Sequence, residues 1–299
     1  MIRVALPDEV ILERLGPPPE GATYTVWNLE GPAPEPIDLL VLPYMIPAAE
    51  LARLEGVRVR VVQAQTLGYD GVADALPGGV TYCNAVEVHE ASTAELTLGL
   101  VLAAQRGLPE LFEAQREGRW AHAQFPGLAG RRVLLIGVGG VGREIELRLA
   151  PFEVDLVRVA RTAREGVHGL DELPALLPEA DIVVLAVPLT DDTRGLVSTE
   201  FLAAMKRDAL LVNVSRGPVV DTAALVTALG EERVRAALDV VDPEPLPADH
   251  PLWSAPGAII TPHVGGHTGA MAGRVDRLIH EQVRRLLAGE PPANVVIST

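Results

Sequence analysis

Short apolar runs alternate along the chain with stretches in which apolar positions recur at helical spacing, the pattern of a parallel sheet covered by helices on both faces. In the first hundred residues, 3–6, 39–42 and 59–62 read as buried strands and 48–54 as a connecting helix. The segment GPPPEGATYTVWNLEGPAPEP is rich in proline and glycine, so it reads as surface loop flanking a short strand at 24–29. The run ASTAELTLGLVLAAQ, 91–105, predicts a well-buried helix with Ser92 or Thr93 as cap and Glu95 in its first turn. A second series follows Gly130: strand 132–137, helix 141–150, strand 154–160, helix 171–177 and strand 181–187. Further strands are expected at 209–214, 234–240 and 258–261, and a closing helix at 269–288. The fold class is α/β.

Length and charge narrow the picture. A chain of 299 residues with 48% hydrophobic content can bury more than one core, so two domains are expected. The N-terminal MIRVALPDEV carries charges and a proline where a secretory signal needs an apolar stretch. The apolar run 96–104 is far shorter than the ~20 residues that a membrane span needs. The expectation is a cytoplasmic protein with no membrane contact. Cys83 is the only cysteine, which excludes a disulfide framework and a thiolate zinc cluster, and no metal site is expected. A net charge of -15 argues against nucleic acid as a partner, because phosphate-backbone binding needs clustered cations.

The strongest local motif is VLLIGVGGVG, where Gly137, Gly139 and Gly142 form a G-x-G-x-x-G pattern between a strand and a helix, with Gly140 and Val141 inside it. The first glycine permits a tight turn, the second lets the backbone approach a pyrophosphate, and the third allows close helix packing. A dinucleotide-binding fold follows from this context. An NAD-preferring site places an acid at the end of the second strand; this chain has Ala160 there. Arg161, Thr162 and Arg164 come next, and guanidinium groups pair bidentately with phosphate. NADP(H) is therefore the preferred cofactor, with NAD(H) possible.

Three later segments bring chemistry to strand ends. In LLVNVSRGPVVD, Arg216 follows a buried strand and can grip a carboxylate; in AALDVVDPEPLP, Glu244 stands between two prolines; in IITPHVGGHT, His263 follows an apolar strand. His89, His122, His267 and His280 lack comparable settings and read as structural or peripheral, as do Trp120 and Trp253. Tyr44 and Met45 follow a strand, with no motif to assign them a role.

GVGGVG, VPLTDDTRGLV, NVSRGPVVD, ALDVVDPEPLP and TPHVGG, in this order and spacing, resemble the D-isomer-specific 2-hydroxyacid dehydrogenases. The resemblance covers nearly the whole chain. It implies two doubly wound parallel-sheet domains, the larger a Rossmann dinucleotide-binding domain (91–267) inserted into a flavodoxin-like substrate domain (1–90 and 268–299). It also implies a catalytic trio of Arg216, Glu244 and His263, with His263 as proton donor in reduction and base in oxidation. Glu244 would favour the charged imidazole, and Arg216 would bind the substrate carboxylate and polarise the carbonyl. By the same resemblance, VVQAQTLGYDGV supplies backbone amides at Leu67 and Gly68 for the substrate carboxylate. Asp239 falls near the nicotinamide amide, and Val187, Pro188 and Ser215 fall beside the cofactor. The implied partner is a small 2-oxo or 2-hydroxy acid such as glyoxylate or hydroxypyruvate, and the implied assembly is a homodimer.

Two other readings share the fold. Formate dehydrogenases have a stretch like DPEPLPADHPLW, but they carry glutamine where this chain has Glu244. Nucleotide-sensing corepressors use the fold without turnover, and the intact trio speaks against that reading.

Overall fold

The computed structural model describes every residue except Glu35. The chain begins with β1 (Ile2–Leu6), α1 (Glu9–Leu15), β2 (Ala22–Val26), β3 (Ile37–Val41), a 3-10 helix (Ala48–Leu54), β4 (Val59–Gln63), α2 (Val72–Ala75) and β5 (Thr81–Cys83). It continues through α3 (Glu90–Gln105), α4 (Leu108–Arg116), β6 (Arg132–Ile136), α5 (Gly140–Leu149), β7 (Asp155–Ala160), β8 (His168–Gly169), α6 (Leu173–Leu176), β9 (Ile182–Leu185), α7 (Thr199–Ala204), β10 (Leu210–Asn213), α8 (Thr222–Gly230), β11 (Arg235–Leu238) and β12 (Ala258–Ile260). It ends with α9 (Ala270–Leu287) and β13 (Val295–Ser298).

These elements form two compact units, Met1–His89 with Thr268–Thr299, and Glu90–His267. The first holds a sheet of order β13-β5-β4-β3-β1-β2, parallel except for β13, which runs antiparallel to β5 at the edge. Its core lies on both faces: Val4, Leu6, Leu39 and Ile279 on one side, Leu40, Leu51, Leu54 and Val62 on the other. The second unit holds a wholly parallel sheet of order β12-β11-β10-β9-β6-β7-β8. Its central strands β9 and β10 are buried at every position, as their unbroken IVVL and LLVN runs require for a sheet covered on both faces. Each Ile, Leu or Val side chain among them contributes roughly 1.5–3 kcal/mol on burial. Among the described residues, no helix is long and apolar enough to cross a membrane.

Several local expectations need correction. The strand placed at 24–29 is Ala22–Val26; Trp27 and Leu29 leave the strand to be buried in the core beside Ala5 and Leu40. Ser92 and Thr93 do not cap their helix, which starts earlier, at Glu90. Both are buried within it, and Thr93 lies against Gly265. The helix expected over 171–177 is one short α-turn, Leu173–Leu176, between 3-10 turns. Pro174 and Pro178 lack the amide protons that a continuous helix would need. The segment Ala48–Leu54 is 3-10 rather than α.

Candidate active site

Register sets the stage. Asn213 of β10 lies level with Leu238 of β11 and Leu185 of β9, Leu238 with Ile260 of β12, and Ile136 of β6 with Leu185 and Val159 of β7. Strand ends that are level release their loops at one edge of the sheet. The glycine loop, the 161–164 segment, Val187–Pro188, Arg216, Asp239, Glu244 and His263 all follow these ends, on the carboxyl edge where open α/β sheets bind ligands.

At the end of β10, Asn213 organises the arginine turn. Its Oδ1 accepts from the Ser215 amide at 3.0 Å and the Ser215 hydroxyl at 2.7 Å, while its Nδ2 donates to the Arg216 carbonyl at 3.0 Å. Ser215 is thus buried and turned inward. A Cβ on Gly217 would lie 1.8 Å from the carbonyl oxygen of Val241, so the arginine turn packs directly on the loop after β11. Glu244 rises from that loop between Pro243 and Pro245 and is exposed.

His263 meets Glu244. Nδ1 of the imidazole stands 2.5 Å from Glu244 Oε1. With Nδ1 engaged, Nε2 is the ring nitrogen available for proton exchange, and the carboxylate sets the tautomer and orientation of the ring. His263 has a left-handed backbone, φ 52°, unusual for a residue with a branching ring. Asp239 holds it there. The His263 amide donates to the Asp239 carbonyl at 2.8 Å. The Asp239 carboxylate, 3% exposed, accepts from Thr261 Oγ1 at 2.6 Å, the Val264 amide at 2.9 Å and the Gly265 amide at 2.8 Å.

The glycine loop fits a dinucleotide. A Cβ on Gly137, at φ 105°, would strike the Ala186 carbonyl oxygen at 2.3 Å, and one on Gly142 would strike the Gly137 carbonyl oxygen at 2.0 Å. A Cβ on Gly139 would meet nothing within 4 Å. The first and third glycines therefore bring strand, loop and helix together, and the second faces open space where a pyrophosphate can approach. The amides of Gly140, Val141 and Gly142 find no acceptor among the described residues, and the first turn of α5 carries no acid. Positive helix-terminal dipole and free donors suit a diphosphate. Arg161, Thr162 and Arg164 are exposed just beyond Ala160, with Arg164 and Val167 exchanging backbone bonds at 2.9 and 2.8 Å. After β9, Thr193 Oγ1 donates to the Pro188 carbonyl at 2.7 Å and braces the Val187–Pro188 loop.

In the first unit, the segment after β4 has an unusual polarity. The carbonyl oxygens of residues 65 to 68 all accept: Gln65 faces His89 Nε2 at 2.5 Å, Thr66 takes the Ala85 amide at 2.9 Å, Leu67 takes Asn84 Nδ2 at 2.9 Å, and Gly68 takes Thr66 Oγ1 at 3.2 Å. The amides of Gln65, Thr66, Leu67 and Gly68 donate to no acceptor among the described residues. With their carbonyls engaged, these peptides leave successive N–H groups as donors for an anion.

Sequence reasoning did not single out Asn213, Thr193 and Asn84, whose side chains hydrogen-bond the backbone of these loops, and it read His89, which holds the Gln65 carbonyl, as structural or peripheral. The only signal for Asn213, Asn84 and Thr193 was a hydrogen-bonding side chain at or just beyond a strand end.

A concavity of about 1050 Å³ opens elsewhere, at the amino edge of the second sheet, lined in part by Phe112, Phe125, Lys206, Arg235 and Trp253. It is remote in the fold from the histidine and glycine loops, so we assign it no part in the chemistry.

Residues 98–265 match the family described as D-isomer specific 2-hydroxyacid dehydrogenase, NAD binding domain. This chain belongs to that family. It is 34% identical over 253 residues to a glyoxylate reductase of Thermofilum pendens, covering 80% of this chain and 75% of that protein. It is 35% identical over 250 residues to a D-3-phosphoglycerate dehydrogenase of Methanocaldococcus jannaschii, covering 80% of this chain but only 48% of that protein. The chain thus spans about half the length of the phosphoglycerate enzyme. Among solved structures, a D-isomer specific 2-hydroxyacid dehydrogenase from Xanthobacter autotrophicus Py2 in complex with NADPH and MES superposes with a TM-score of 0.81 at 32% identity, covering 99% of this chain and 98% of that one.

Proposed function

We propose that this chain catalyses the NADP(H)-dependent interconversion of a small 2-oxo acid, such as glyoxylate or hydroxypyruvate, with its D-2-hydroxy acid. The observation that carries the reading is the 2.5 Å contact between His263 Nδ1 and Glu244 at the carboxyl edge of a dinucleotide-binding sheet. A formate oxidase has no carbonyl oxygen to protonate, so a carboxylate-braced histidine favours 2-oxo acid chemistry over that alternative.

When bound, the reduced nicotinamide supplies a hydride to the carbonyl carbon. His263 Nε2 gives a proton to the carbonyl oxygen as negative charge develops there, and in the reverse direction the neutral ring takes the hydroxyl proton. Glu244 keeps the ring in the tautomer and orientation that this transfer needs. Arg216 would bind the substrate carboxylate and polarise the carbonyl, and in the first unit the amides of Leu67 and Gly68 are donors that suit a carboxylate. The residues that would hold the cofactor are Gly137, Gly139, Gly140, Val141 and Gly142, with Val187, Pro188, Ser215 and Asp239 beside it and Arg161, Thr162 and Arg164 as the groups that would meet a 2′-phosphate. The NADPH complex of the Xanthobacter protein and the name of the Thermofilum enzyme support this reading.

The test follows absorbance of the reduced nicotinamide with NADPH or NADH and a panel of 2-oxo acids from glyoxylate to phenylpyruvate. We expect NADPH oxidation well ahead of NADH, abolished in His263→Ala. Preference for NADH would overturn the cofactor assignment; tight cofactor binding without turnover of any 2-oxo acid would favour a nucleotide-sensing protein. We further propose a homodimer. Trp120 is 95% exposed, and Phe112 and Trp253 are more than half exposed, so a second copy has apolar surface to cover. Light scattering behind a sizing column would return twice the chain mass, and a monomer at micromolar concentration would refute it.

A further inference from the structure

We propose that His89 and Asn84 are positioning residues for the substrate carboxylate, a two-point latch that brackets the 65–68 segment, His89 orienting the Thr66 peptide ahead of Leu67 and Asn84 orienting the Gly68 amide. The inference rests on the 2-oxo acid reading above and deepens it.

The latch is built into the first unit. A peptide plane is rigid, so fixing a carbonyl on one side fixes the direction of the N–H that shares its plane. His89 Nε2 holds the Gln65 carbonyl, in the plane of the Thr66 amide; Asn84 Nδ2 holds the Leu67 carbonyl, in the plane of the Gly68 amide. Between them, the Ala85 backbone holds the Thr66 carbonyl, in the plane of the Leu67 amide. Two of the three grips are thus side chains, and both residues are over nine-tenths buried. His89 is itself flanked by Tyr44, whose ring centroid lies 6.0 Å from its own. Gln65 ties the same segment to the neighbouring strand end through its side chain, which donates to the Leu42 carbonyl at 2.8 Å.

Asn84 carries a further mark of function. With Nδ2 committed to Leu67, its Oδ1 is buried with no hydrogen-bond partner among the described residues. An unsatisfied buried acceptor destabilises a fold, so stability alone does not account for an asparagine here. Orienting the loop does, because only the Nδ2 donor matters for that purpose.

A residue that only orients carboxylate donors contributes equally to ground-state and transition-state binding. Its loss raises KM and leaves kcat alone. We expect His89→Phe, which keeps a ring but loses the donor, to raise KM for the 2-oxo acid about tenfold with kcat and cofactor affinity within about twofold. His89→Gln retains an N–H donor and should recover most of the loss. Asn84→Ala should behave as His89→Phe, and melting temperatures identify any variant that merely unfolds.

The deciding experiment needs no turnover. Hydrogen–deuterium exchange of the peptide spanning residues 64–69 is followed in the NADP⁺-saturated protein with and without oxamate, a carboxylate probe that is not reduced. Protection by oxamate in the native protein, lost in His89→Phe and regained in His89→Gln, supports the latch. Equal protection in native protein and both folded variants, His89→Phe and Asn84→Ala, overturns the latch and leaves the 2-oxo acid reading standing. No protection of this peptide in the native protein overturns the latch and the assignment of Leu67 and Gly68 together.

Discussion

The carboxylate of Asp239 accepts the amide of Gly265 at 2.8 Å, and through this and three further bonds one buried side chain and its own carbonyl fix the loop that carries His263. The left-handed conformation of His263 is thus imposed from beneath. Asp239→Asn would replace an acceptor of two backbone amides with a group that is half donor. We expect a stability loss of about 1–3 kcal/mol, the cost of leaving buried donors unpaired. The expected loss of kcat is about 10- to 100-fold, the scale on which supporting contacts tune a site. Retained kcat in a folded variant would show that the loop holds itself.

Glu244→Gln keeps the shape of the contact to His263 Nδ1 and removes its charge. Proton transfer by a positioned side chain is worth about 10²–10⁴-fold, and the braced tautomer is part of that. A fall of kcat in the reduction direction by at least about tenfold is expected, with NADPH affinity unchanged. Because Glu244 is exposed, melting should hardly move. Unchanged kcat would remove Glu244 from the chemistry.

The glycine loop separates folding from binding. Gly142→Ala puts a methyl group 2.0 Å from a backbone oxygen, and overpacking of this kind costs about 1–3 kcal/mol. Gly139→Ala has open space around it and a φ of -74° that any residue adopts, so its fold should survive. Cofactor affinity should nonetheless fall about tenfold or more, about 1.4 kcal/mol, because the methyl group occupies the approach to the pyrophosphate. Melting curves and nicotinamide fluorescence titration would read the two effects separately. Native affinity in Gly139→Ala would refute the placement.

How much of this was legible in the sequence depends on the distance over which each feature is determined. The central strands were visible because burial on both faces demands unbroken apolar runs, as in IVVL and the LLV that leads into Asn213. The strands β5, β8 and β13 were not: β8 and β13 are short strands at sheet edges that are only partly buried, and β5, though interior, is only three residues long. Arg216, Glu244 and His263 announce themselves by residue type beside strand ends and turn formers. His89 did not, because its role is defined by a carbonyl 24 residues away in the chain. Ser92 and Thr93 misled for the same reason: their burial against tertiary neighbours overrode the preference of a hydroxyl for a helix cap.

Cofactor choice should reside in the segment after Ala160. Arg161 and Arg164 are exposed and the acid that would contact a free ribose is absent. The double variant Arg161→Ala, Arg164→Ala should lower kcat/KM for NADPH about 10- to 100-fold, within the range for two charge-assisted contacts, while leaving NADH nearly unaffected. Equal losses for both cofactors would assign the arginines to general attraction rather than to the 2′-phosphate. Installing an acid through Ala160→Asp in the same background should raise NADH use, and its failure to do so would place the ribose elsewhere.

Alkaline pH should weaken the first unit through two neighbours on β5. Burial pushes the Cys83 thiol up to about 11, against a smaller opposing effect from Gln282, and pushes the Tyr82 phenol up to about 12, with the neighbouring thiolate adding to it. Both shifts favour the protonated form in the folded chain. Between the ordinary thiol value of 9.0 and about 11, the unfolded chain therefore binds fewer protons at residue 83 than the folded one, and stability falls as pH rises. Below pH 9 the thiol contribution is fully present; by pH 11 it is lost, with the phenol extending the decline towards pH 12. Urea unfolding measured from pH 8 to 11 should show this slope, and Cys83→Ala should flatten it even if it lowers stability at pH 8. A thiol probe at pH 8 should leave Cys83 unlabelled in the native protein and label it rapidly in urea, because the side chain is fully buried. Rapid labelling of the native protein would show that β5 opens to solvent, and the burial invoked for both residues would then fail with it.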